Sequence, residues 1–257
     1  MKAFHKAALC AALLLGLAAC DSAKDVQTLI KKAEQGDADA QTTLGLRFYC
    51  GDGVREDTAE AVIWFRKAAE QGDADAQYGL GVCYLEGDGV DKDAEKAVAW
   101  FTEAVGQGLA EAQYSLGMCY ANGDGVDKDT AAAVTWIRKA AGQGYADAQF
   151  NLGVRHADGD GVGKDAAKAA MWYRSAAKQG HAVAQHNLGV CYAKGEGVDK
   201  NPKEAFKWIR KAAEQGLAVA QVNIGMRYAD GDGVRKDAEK SVKWLKKAAA
   251  QGSEDAQ

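Results

Sequence analysis

The stretch Asp73–Gly108 reads DADAQYGLGVCYLEGDGVDKDAEKAVAWFTEAVGQG, and its pattern recurs along most of the chain. All six tryptophans follow that pattern, each 36 residues after the one before. A fixed period of this length is the signature of an architecture that stacks one supersecondary motif. Counted from Asp37, the period predicts six repeats, at residues 37–72, 73–108, 109–144, 145–180, 181–216 and 217–252.

Each repeat contains two segments with helical spacing, joined by a glycine-rich loop. In the second segment of the quoted stretch, one apolar stripe is formed by Ala97, Val98, Trp100, Phe101, Ala104 and Val105. Asp93 precedes this segment as an N-cap, and in repeat five Asn201 and Pro202 supply the cap and the first turn. Gly87 and Gly108 follow the two segments, where a left-handed residue ends a helix. The sequence therefore predicts helix-turn-helix repeats.

A helix pair this short cannot bury its own apolar stripe, so each repeat must stack on the next. We expect an all-α fold, a right-handed α-solenoid. A glycine in the middle of the first helix, Gly81 in the quoted stretch, costs about 1 kcal/mol relative to alanine. We expect that this hollow receives the tryptophan ring of the paired helix, because close packing needs space for a bulky side chain.

The recurring frame A-x-A-Q-x-x-L-G-x-x-Y-x-x-G-x-G-V, followed by A-x-x-W-x-x-K-A-A-x-Q-G, resembles the Sel-1-like repeat family, a relative of the tetratricopeptide repeats. The resemblance covers residues 37–252 and implies a scaffold that holds other proteins in signalling or envelope complexes. Disulfide-rich relatives carry cysteines eight residues apart, where this chain has alanine and glutamine. Activities proposed for those relatives, such as β-lactam binding, are therefore not carried over.

The amino terminus predicts a lipoprotein signal peptide at residues 1–19. Lys2 and Lys6 precede an uncharged run that is too short to span a bilayer. Residues 17–20, Leu-Ala-Ala-Cys, resemble the bacterial lipobox, which implies cleavage before Cys20 and acylation of that residue. We therefore expect an exported protein, lipid-anchored to a bacterial membrane and facing the periplasm. By analogy with enteric bacteria, Asp21 implies retention at the inner membrane; otherwise the anchor lies in the outer membrane.

Two segments flank the repeats. Residues 20–36 contain the lipidated cysteine and a capping helix that resembles the second helix of a repeat, with Val26, Leu29 and Ala33 facing inward. Residues 253–257 begin a seventh repeat that is incomplete.

The first helices are expected to carry the binding surface, because first helices line the concave face of such solenoids. Helical projection leaves one stripe of each first helix outside the two apolar arcs. We call it the variable stripe, and its members are Asp39, Thr43, Arg47, Cys50, Asp75, Gly79, Cys83, Glu86, Glu111, Ser115, Cys119, Asn122, Asp147, Asn151, Arg155, Asp158, Val183, Asn187, Cys191, Lys194, Val219, Asn223, Arg227 and Asp230.

One asparagine recurs at the same stripe position in the last three repeats, at Asn151, Asn187 and Asn223. An amide both donates and accepts hydrogen bonds, so this row predicts a grip on the backbone of an extended peptide. Arg155 and Arg227 beside it, and Arg47 in repeat one, are candidates to bind a carboxylate of the partner. The alternative interpretation is that these residues are simply solvated.

The net charge of −4, with both signs interspersed, argues against a nucleic-acid partner. We predict a non-catalytic protein-binding adaptor with no cofactor, no metal and no small-molecule substrate. An envelope-organising lipoprotein that binds peptidoglycan or a second copy is the alternative. A thiol-dependent enzyme built on Cys83, Cys119 and Cys191 is less favoured, because an open groove rarely perturbs a thiol.

Three smaller expectations concern cysteine and histidine. Cys83 and Cys119 occupy equivalent positions of adjacent repeats, and packed helices lie about 8–10 Å apart, too far for a disulfide. They are expected to stay reduced. His181 and His186 are five residues apart, which is not the zinc-motif spacing, and His156 replaces an inward tyrosine, which predicts a core histidine.

Overall fold

The computed structural model describes residue 10 and residues 23–252. Cys20, Asp21, the rest of the predicted signal peptide apart from Cys10, and residues 253–257 lie outside the described residues. Within the described part every regular element is a helix, and no strand occurs. No helix in residues 23–252 combines the length and the apolar character that a membrane span requires.

The described residues form thirteen helices. In chain order they are α1 (Ala23–Glu34), α2 (Ala38–Cys50), α3 (Thr58–Glu70), α4 (Ala74–Glu86), α5 (Ala94–Gly106), α6 (Ala110–Asn122), α7 (Thr130–Gly142), α8 (Ala146–Asp158), α9 (Ala166–Lys178), α10 (Ala182–Lys194), α11 (Pro202–Glu214), α12 (Ala218–Asp230) and α13 (Ala238–Ala249). From α2 onward, even numbers are first helices of the repeats and odd numbers are second helices. The fold class is thus an all-α solenoid of six helix-turn-helix repeats. It divides into an amino-terminal unit that ends at Trp136 and a carboxy-terminal unit that begins at Ile137.

The helix ends follow the local signals of the sequence. Asp93 caps α5 by accepting a hydrogen bond from the Lys96 backbone N–H at 3.0 Å, and Asn201 caps α11 ahead of Pro202. Gly87 ends α4 in the left-handed conformation with φ of 74°. The predicted caps are confirmed at these positions.

Not every cap is an acid. His181 caps α10 through Nδ1, which accepts from the Ala184 N–H at 3.1 Å, while Leu109, Tyr145 and Leu217 make no side-chain cap bond.

The mid-helix glycine receives the residue after the tryptophan, not the tryptophan itself. A methyl group placed on Gly81 lies 2.6 Å from Cε1 of Phe101, whose side chain is fully buried. Trp100 is only half-buried. Gly153 and Gly189 face Tyr173 and Ile209 in the same way. The expectation that the tryptophan fills the hollow was wrong, because two adjacent residues of one helix share the apolar stripe and the rotation of α5 turns the second toward α4.

Adjacent repeats touch through the second glycine of the loop. A side chain on Gly89 would overlap the carbonyl of Thr58, at the start of the preceding second helix. Gly125, Gly197 and Gly233 stand in the same relation to Ala94, Ala166 and Pro202. These glycines let one repeat's loop rest directly on its neighbour's helix.

Hydrogen bonds of buried glutamine side chains also connect adjacent repeats, away from these loops. Gln185 donates to the Ala177 carbonyl of the preceding repeat at 3.1 Å and accepts from Gln215 of its own second helix at 2.7 Å. The same pair of bonds links Gln77 to Ala69 and Gln107. The glutamine of the A-x-A-Q frame is therefore a buried connection between neighbours.

Helix α1 covers the open end of repeat one. Ala33 is buried, and Leu29 packs beside it against Ala40 and Leu44 of α2. Gln41 donates to the Ala33 carbonyl at 2.9 Å, so α1 occupies the place that a preceding second helix takes elsewhere.

Candidate functional site

The two middle positions of the variable stripe are less exposed than the projection predicted. In the amino-terminal unit Arg47, Cys83, Ser115 and Cys119 are each at most 3% exposed. The expectation that these residues belong to the accessible concave surface is wrong, because they are buried. For Arg47 and Cys83 the physical reason is a contact that the projection ignored, because first helices α2 and α4 touch each other as well as the second helices beside them.

The stripe arginines bind acids of their own repeats. Arg155, 7% exposed, donates from Nε to Asn151 Oδ1 at 3.0 Å and from Nη1 to Asp160 Oδ2 at 2.8 Å. Arg227 donates to Asp232 at 2.7 Å. The buried Arg47 lies 3.8 Å from the half-exposed Asp52, measured from Nη1 to Oδ2. Arg47 and Arg155 are thus not the exposed carboxylate receptors that the sequence suggested, because a loop acid of the same repeat already holds each guanidinium.

The three asparagines are half-buried, and a histidine connects two of them. Asn223 Nδ2 donates to His186 Nε2 at 2.7 Å, and His186 Nδ1 donates to Asn187 Oδ1 at 3.3 Å. Burial lowers the pKa of His186, which keeps its ring neutral and able to accept one bond while donating the other. The sequence did not predict this bridge between repeats five and six.

The other histidines also have structural partners. His156 is buried and donates from Nδ1 to the Gly163 carbonyl at 3.3 Å, which confirms a core histidine. His181 stacks on Phe150 with ring centroids 4.6 Å apart, and its Nε2 lies 3.2 Å from Asp147. In the described part of the chain, no three His, Cys, Asp or Glu residues lie close enough together to hold a metal ion.

The stripe cysteines are protonated thiols. Cys83, Cys119 and Cys191 are free and buried, and burial raises the pKa of Cys83 and of Cys119 to about 12. The prediction that Cys83 and Cys119 stay reduced is confirmed. Cys50 forms a disulfide with Cys10, with Cα atoms 5.8 Å apart. Cys10 lies within the predicted signal peptide, so the sequence did not predict this pair; the disulfide requires a chain that keeps residues 1–19, and cleavage before Cys20 would leave Cys50 as a free thiol.

A cavity of about 420 Å³ opens beside Cys191, lined by residues of α8, α9, α10 and the loops that follow α8 and α10. We call it the repeat-five cavity. Its lining includes Tyr173, Asn187, Cys191 and Glu196, with Lys164 at the rim. Burial raises the pKa of Tyr173 to about 12, against the opposing effect of a hydrogen bond with Asn187. The sequence did not predict this site, although the cysteine at the position that holds arginine in repeats four and six was a usable signal.

Comparison with known proteins agrees with the repeat architecture. A family model described as the Sel1 repeat matches residues 38–73, 74–109, 110–145, 146–181, 182–217 and 218–253. A search of curated protein sequences gives no match.

Solved structures share the same fold. The chain is 39% identical to c5321, a protective antigen of uropathogenic Escherichia coli strains with an SLR fold, at a TM-score of 0.81; the match covers 90% of this chain and 50% of that one. The chain thus spans about half the length of that relative.

A Sel1 repeat protein from Oxalobacter formigenes is 36% identical, with a TM-score of 0.82, over 98% of this chain and 74% of that one. Immunity protein Pa5087 from Pseudomonas aeruginosa, 20% identical with a TM-score of 0.54 over 86% and 84% of the two chains, shares the fold alone. Sel1 repeat proteins are generally protein-interaction scaffolds and typically not enzymes. Since the family model matches every predicted repeat, the chain belongs to the Sel1 repeat family.

Proposed function

We propose that this protein is a non-catalytic adaptor of the bacterial cell envelope, anchored through lipidated Cys20, and that the first helices of its carboxy-terminal unit hold a protein segment. The observation that carries the proposal is the row of half-buried amides at Asn151, Asn187 and Asn223. The row stands on three successive first helices of one compact unit.

Exposed apolar side chains accompany this row. Val183 and Val219 lie one helical turn before Asn187 and Asn223, and they are 38% and 46% exposed. The four earlier repeats have an aspartate or glutamate at that position. An apolar contact beside an amide suits a peptide whose backbone bonds to the amide while a side chain covers the valine.

Asn223 keeps hydrogen-bonding capacity for a partner. An amide offers two donors and an acceptor oxygen with two lone pairs. Asn223 makes one bond, from Nδ2 to His186, so its Oδ1 remains able to accept a bond from a bound backbone.

Acid–base or thiol catalysis gains little support from this surface. The thiols are protonated at neutral pH because their pKa values are raised by burial, and a thiol reacts as the thiolate. Arg155 and Arg227 form ion pairs with loop carboxylates of their own repeats, so their role is structural.

The test is crosslinking in the native membrane with the triple variant Asn151→Ala, Asn187→Ala and Asn223→Ala. The expected result is that the wild-type chain captures a defined protein and that the triple variant loses it. Because the amides hydrogen-bond internally, we expect the variant to lose on the order of 1–3 kcal/mol of stability, so its helicity must be checked under the assay conditions. The matched control replaces three exposed residues of second helices, Lys178, Lys207 and Lys243, by alanine.

The outcomes separate the hypotheses. Equal capture by a folded triple variant would refute the amide surface. Recovery of peptidoglycan or of a second copy of the chain, unaffected by the variant, would favour the envelope organiser. A Cys20→Ser chain that remains acylated and membrane-bound would refute the anchor.

A further inference from the structure

We propose that the repeat-five cavity binds an arginine side chain of the partner protein. This inference rests on the proposed adaptor function and names the side chain that the adaptor recognises. It follows from comparing the six repeats with one another, because three of them supply such an arginine from their own sequence.

One position of the first helix alternates between two residue types. Arginine occupies it in repeats one, four and six, and cysteine occupies it in repeats two, three and five. Wherever arginine is present, its guanidinium meets the acid five residues later, with Nη1 to carboxylate distances of 3.8 Å at Asp52, 2.8 Å at Asp160 and 2.7 Å at Asp232. The fold therefore contains a recurrent guanidinium receptor.

Repeat five keeps the receptor and lacks the guanidinium. Asn187 stands where Asn151 accepts the Nε bond of Arg155, and Glu196 stands where Asp160 accepts the Nη1 bond. The Glu196 side chain is 57% exposed, comparable with 61% for Asp160. Cys191 replaces the arginine, and the repeat-five cavity occupies the space beside it.

The other two cysteine repeats lack the amide acceptor of the receptor, because Gly79 and Ser115 stand where repeat five has Asn187. In repeat two the acid Asp88 also accepts a hydrogen bond from the Tyr49 hydroxyl at 2.9 Å. In repeat three the acid Asp124 accepts an exposed hydrogen bond from Asn122 at 3.1 Å, at the same two positions as Lys194 and Glu196 of repeat five. Glu196 lies 3.7 Å from the exposed Lys194, and a surface ion pair of this kind is weak.

The chemistry of the lining favours a guanidinium. Glu196 supplies a carboxylate, which accepts two parallel N–H bonds from an arginine fork. Asn187 Oδ1 already accepts a bond from His186 and keeps a second lone pair for a guanidinium N–H, and Tyr173 lines the same cavity. Tyr173 and Cys191 both stay neutral at pH 7 because burial raises the pKa of each. Neither side chain therefore adds a charge to the cavity, and the Glu196 carboxylate remains the counter-ion for a bound guanidinium.

Lys164 at the rim does not prevent the binding of a cation. Its counterpart in the next repeat is Lys200, and there the Arg227–Asp232 ion pair forms at 2.7 Å. Lys164 is exposed, so its ammonium group can remain in solvent while its stem lines the rim.

The experiment is a titration of the purified full chain with Nα-acetyl-arginine amide, followed by amide NMR shifts. The expected result is saturable shifts confined to α9, α10 and the Glu196 loop. Nα-acetyl-citrulline amide, which has nearly the same shape without the charge, should bind at least about tenfold more weakly. Glu196→Gln should weaken arginine binding by a similar factor, and the matched control Asp160→Asn, in the filled receptor of repeat four, should leave it unchanged.

Cys191→Arg gives the sharper test. It places a guanidinium in the cavity as Arg155 does in repeat four, so arginine amide should no longer bind. If that variant fails to fold, Asn187→Ala combined with Glu196→Gln tests the same receptor without filling it. Equal binding of arginine and citrulline, or unchanged binding to folded Cys191→Arg, would overturn the proposal.

The cavity and the adaptor can fail separately. Arginine binding without capture of any protein in the membrane would keep the cavity and remove the adaptor. Capture that is unaffected by Cys191→Arg, together with no arginine binding, would keep the adaptor and remove the cavity.

Discussion

Replacing Gly81 by alanine should destabilise the protein even though it improves the helix. The added methyl group would lie 2.6 Å and 2.7 Å from two ring carbons of Phe101 and 3.3 Å from the Ala97 carbonyl oxygen. Carbon atoms pack at about 3.5–4.0 Å. The ring must therefore move by about 1 Å inside a close-packed core, where both it and Ala97 are fully buried.

Two opposing contributions to the free energy of unfolding decide whether the variant is more or less stable. Alanine gains about 1 kcal/mol over glycine in a helix interior. Overpacking of a core costs typically about 1–3 kcal/mol. The expected net effect is a loss of up to about 2 kcal/mol in the free energy of unfolding, measured from the midpoint and slope of a urea melt followed by circular dichroism.

The effect should change sign when the ring is removed. Phe101→Ala alone should cost about 3–5 kcal/mol, because it empties a fully buried site. In that background Gly81→Ala should become stabilising by about 1 kcal/mol, since the clash is gone and the helix gain remains. Gly106→Ala is the matched control: it lies in α5 with nothing within 4 Å of an added methyl group, so it should not destabilise.

Either of two results would refute the explanation that the Phe101 ring requires a glycine at position 81. If Gly81→Ala stabilised the wild-type chain, or destabilised it equally with and without Phe101, the ring would not be what requires the glycine. A large loss in Gly106→Ala would show that the assay reports something other than local packing.

Two further predictions concern pH and thiol reactivity. Asp93, Asp165 and Asp237 cap second helices, and hydrogen bonds with the lysine three residues later lower the pKa of each. A lowered folded-state pKa stabilises the fold above the ordinary aspartate value of about 3.9, and that contribution is lost as pH falls through the folded-state pKa. Acid melts should therefore show destabilisation below about pH 4, and the triple Asp→Asn variant, which keeps the caps, should show a shallower loss; an identical acid profile would contradict this. Cys83 and Cys119 should resist a thiol reagent at neutral pH in the folded chain and react fully in denaturant, because burial raises the pKa of both to about 12; fast labelling of the folded chain would revive the thiol-enzyme hypothesis.

The repeat frame and the helix ends could be predicted because their signals are local. Asp93, Asn201 and Gly87 act within one turn of the helix that they cap or end, so sequence alone placed them. The period then repeats the same local solution six times.

The filling of the glycine hollow could not be predicted in the same way. Trp100 and Phe101 are neighbours on one apolar stripe, and only the rotation of α5 against α4 decides which of them faces Gly81. Five of the tryptophans are instead half-buried, and Trp208 is 9% exposed. Lys67 and Lys211 place their ammonium groups 3.9 Å and 4.7 Å from the rings of Trp64 and Trp208, the geometry of a cation–π contact.

The exposure of the variable stripe depended on neighbours that a projection of one helix does not contain. Contact between α2 and α4 covers the middle of the stripe in the first two repeats. The partners of Asn187 and Asn223 include His186, which belongs to no part of the repeat frame. A residue outside the period can thus alter the binding row without any change in the pattern that defines the fold.

The alternation of arginine and cysteine shows how the fold leaves a position free for function. Either residue satisfies the stack, since Arg155 is held by Asp160 while Cys191 is buried as a neutral thiol. The glycines and glutamines that join adjacent repeats stand at other positions of the repeat. Exchanging arginine for cysteine here therefore does not disturb the contacts between repeats. In repeat five the exchange leaves a carboxylate and an amide facing a cavity, whereas in repeat four they hold a guanidinium. Specificity in such a chain can therefore evolve one repeat at a time, by removing an internal arginine and leaving its receptor in place.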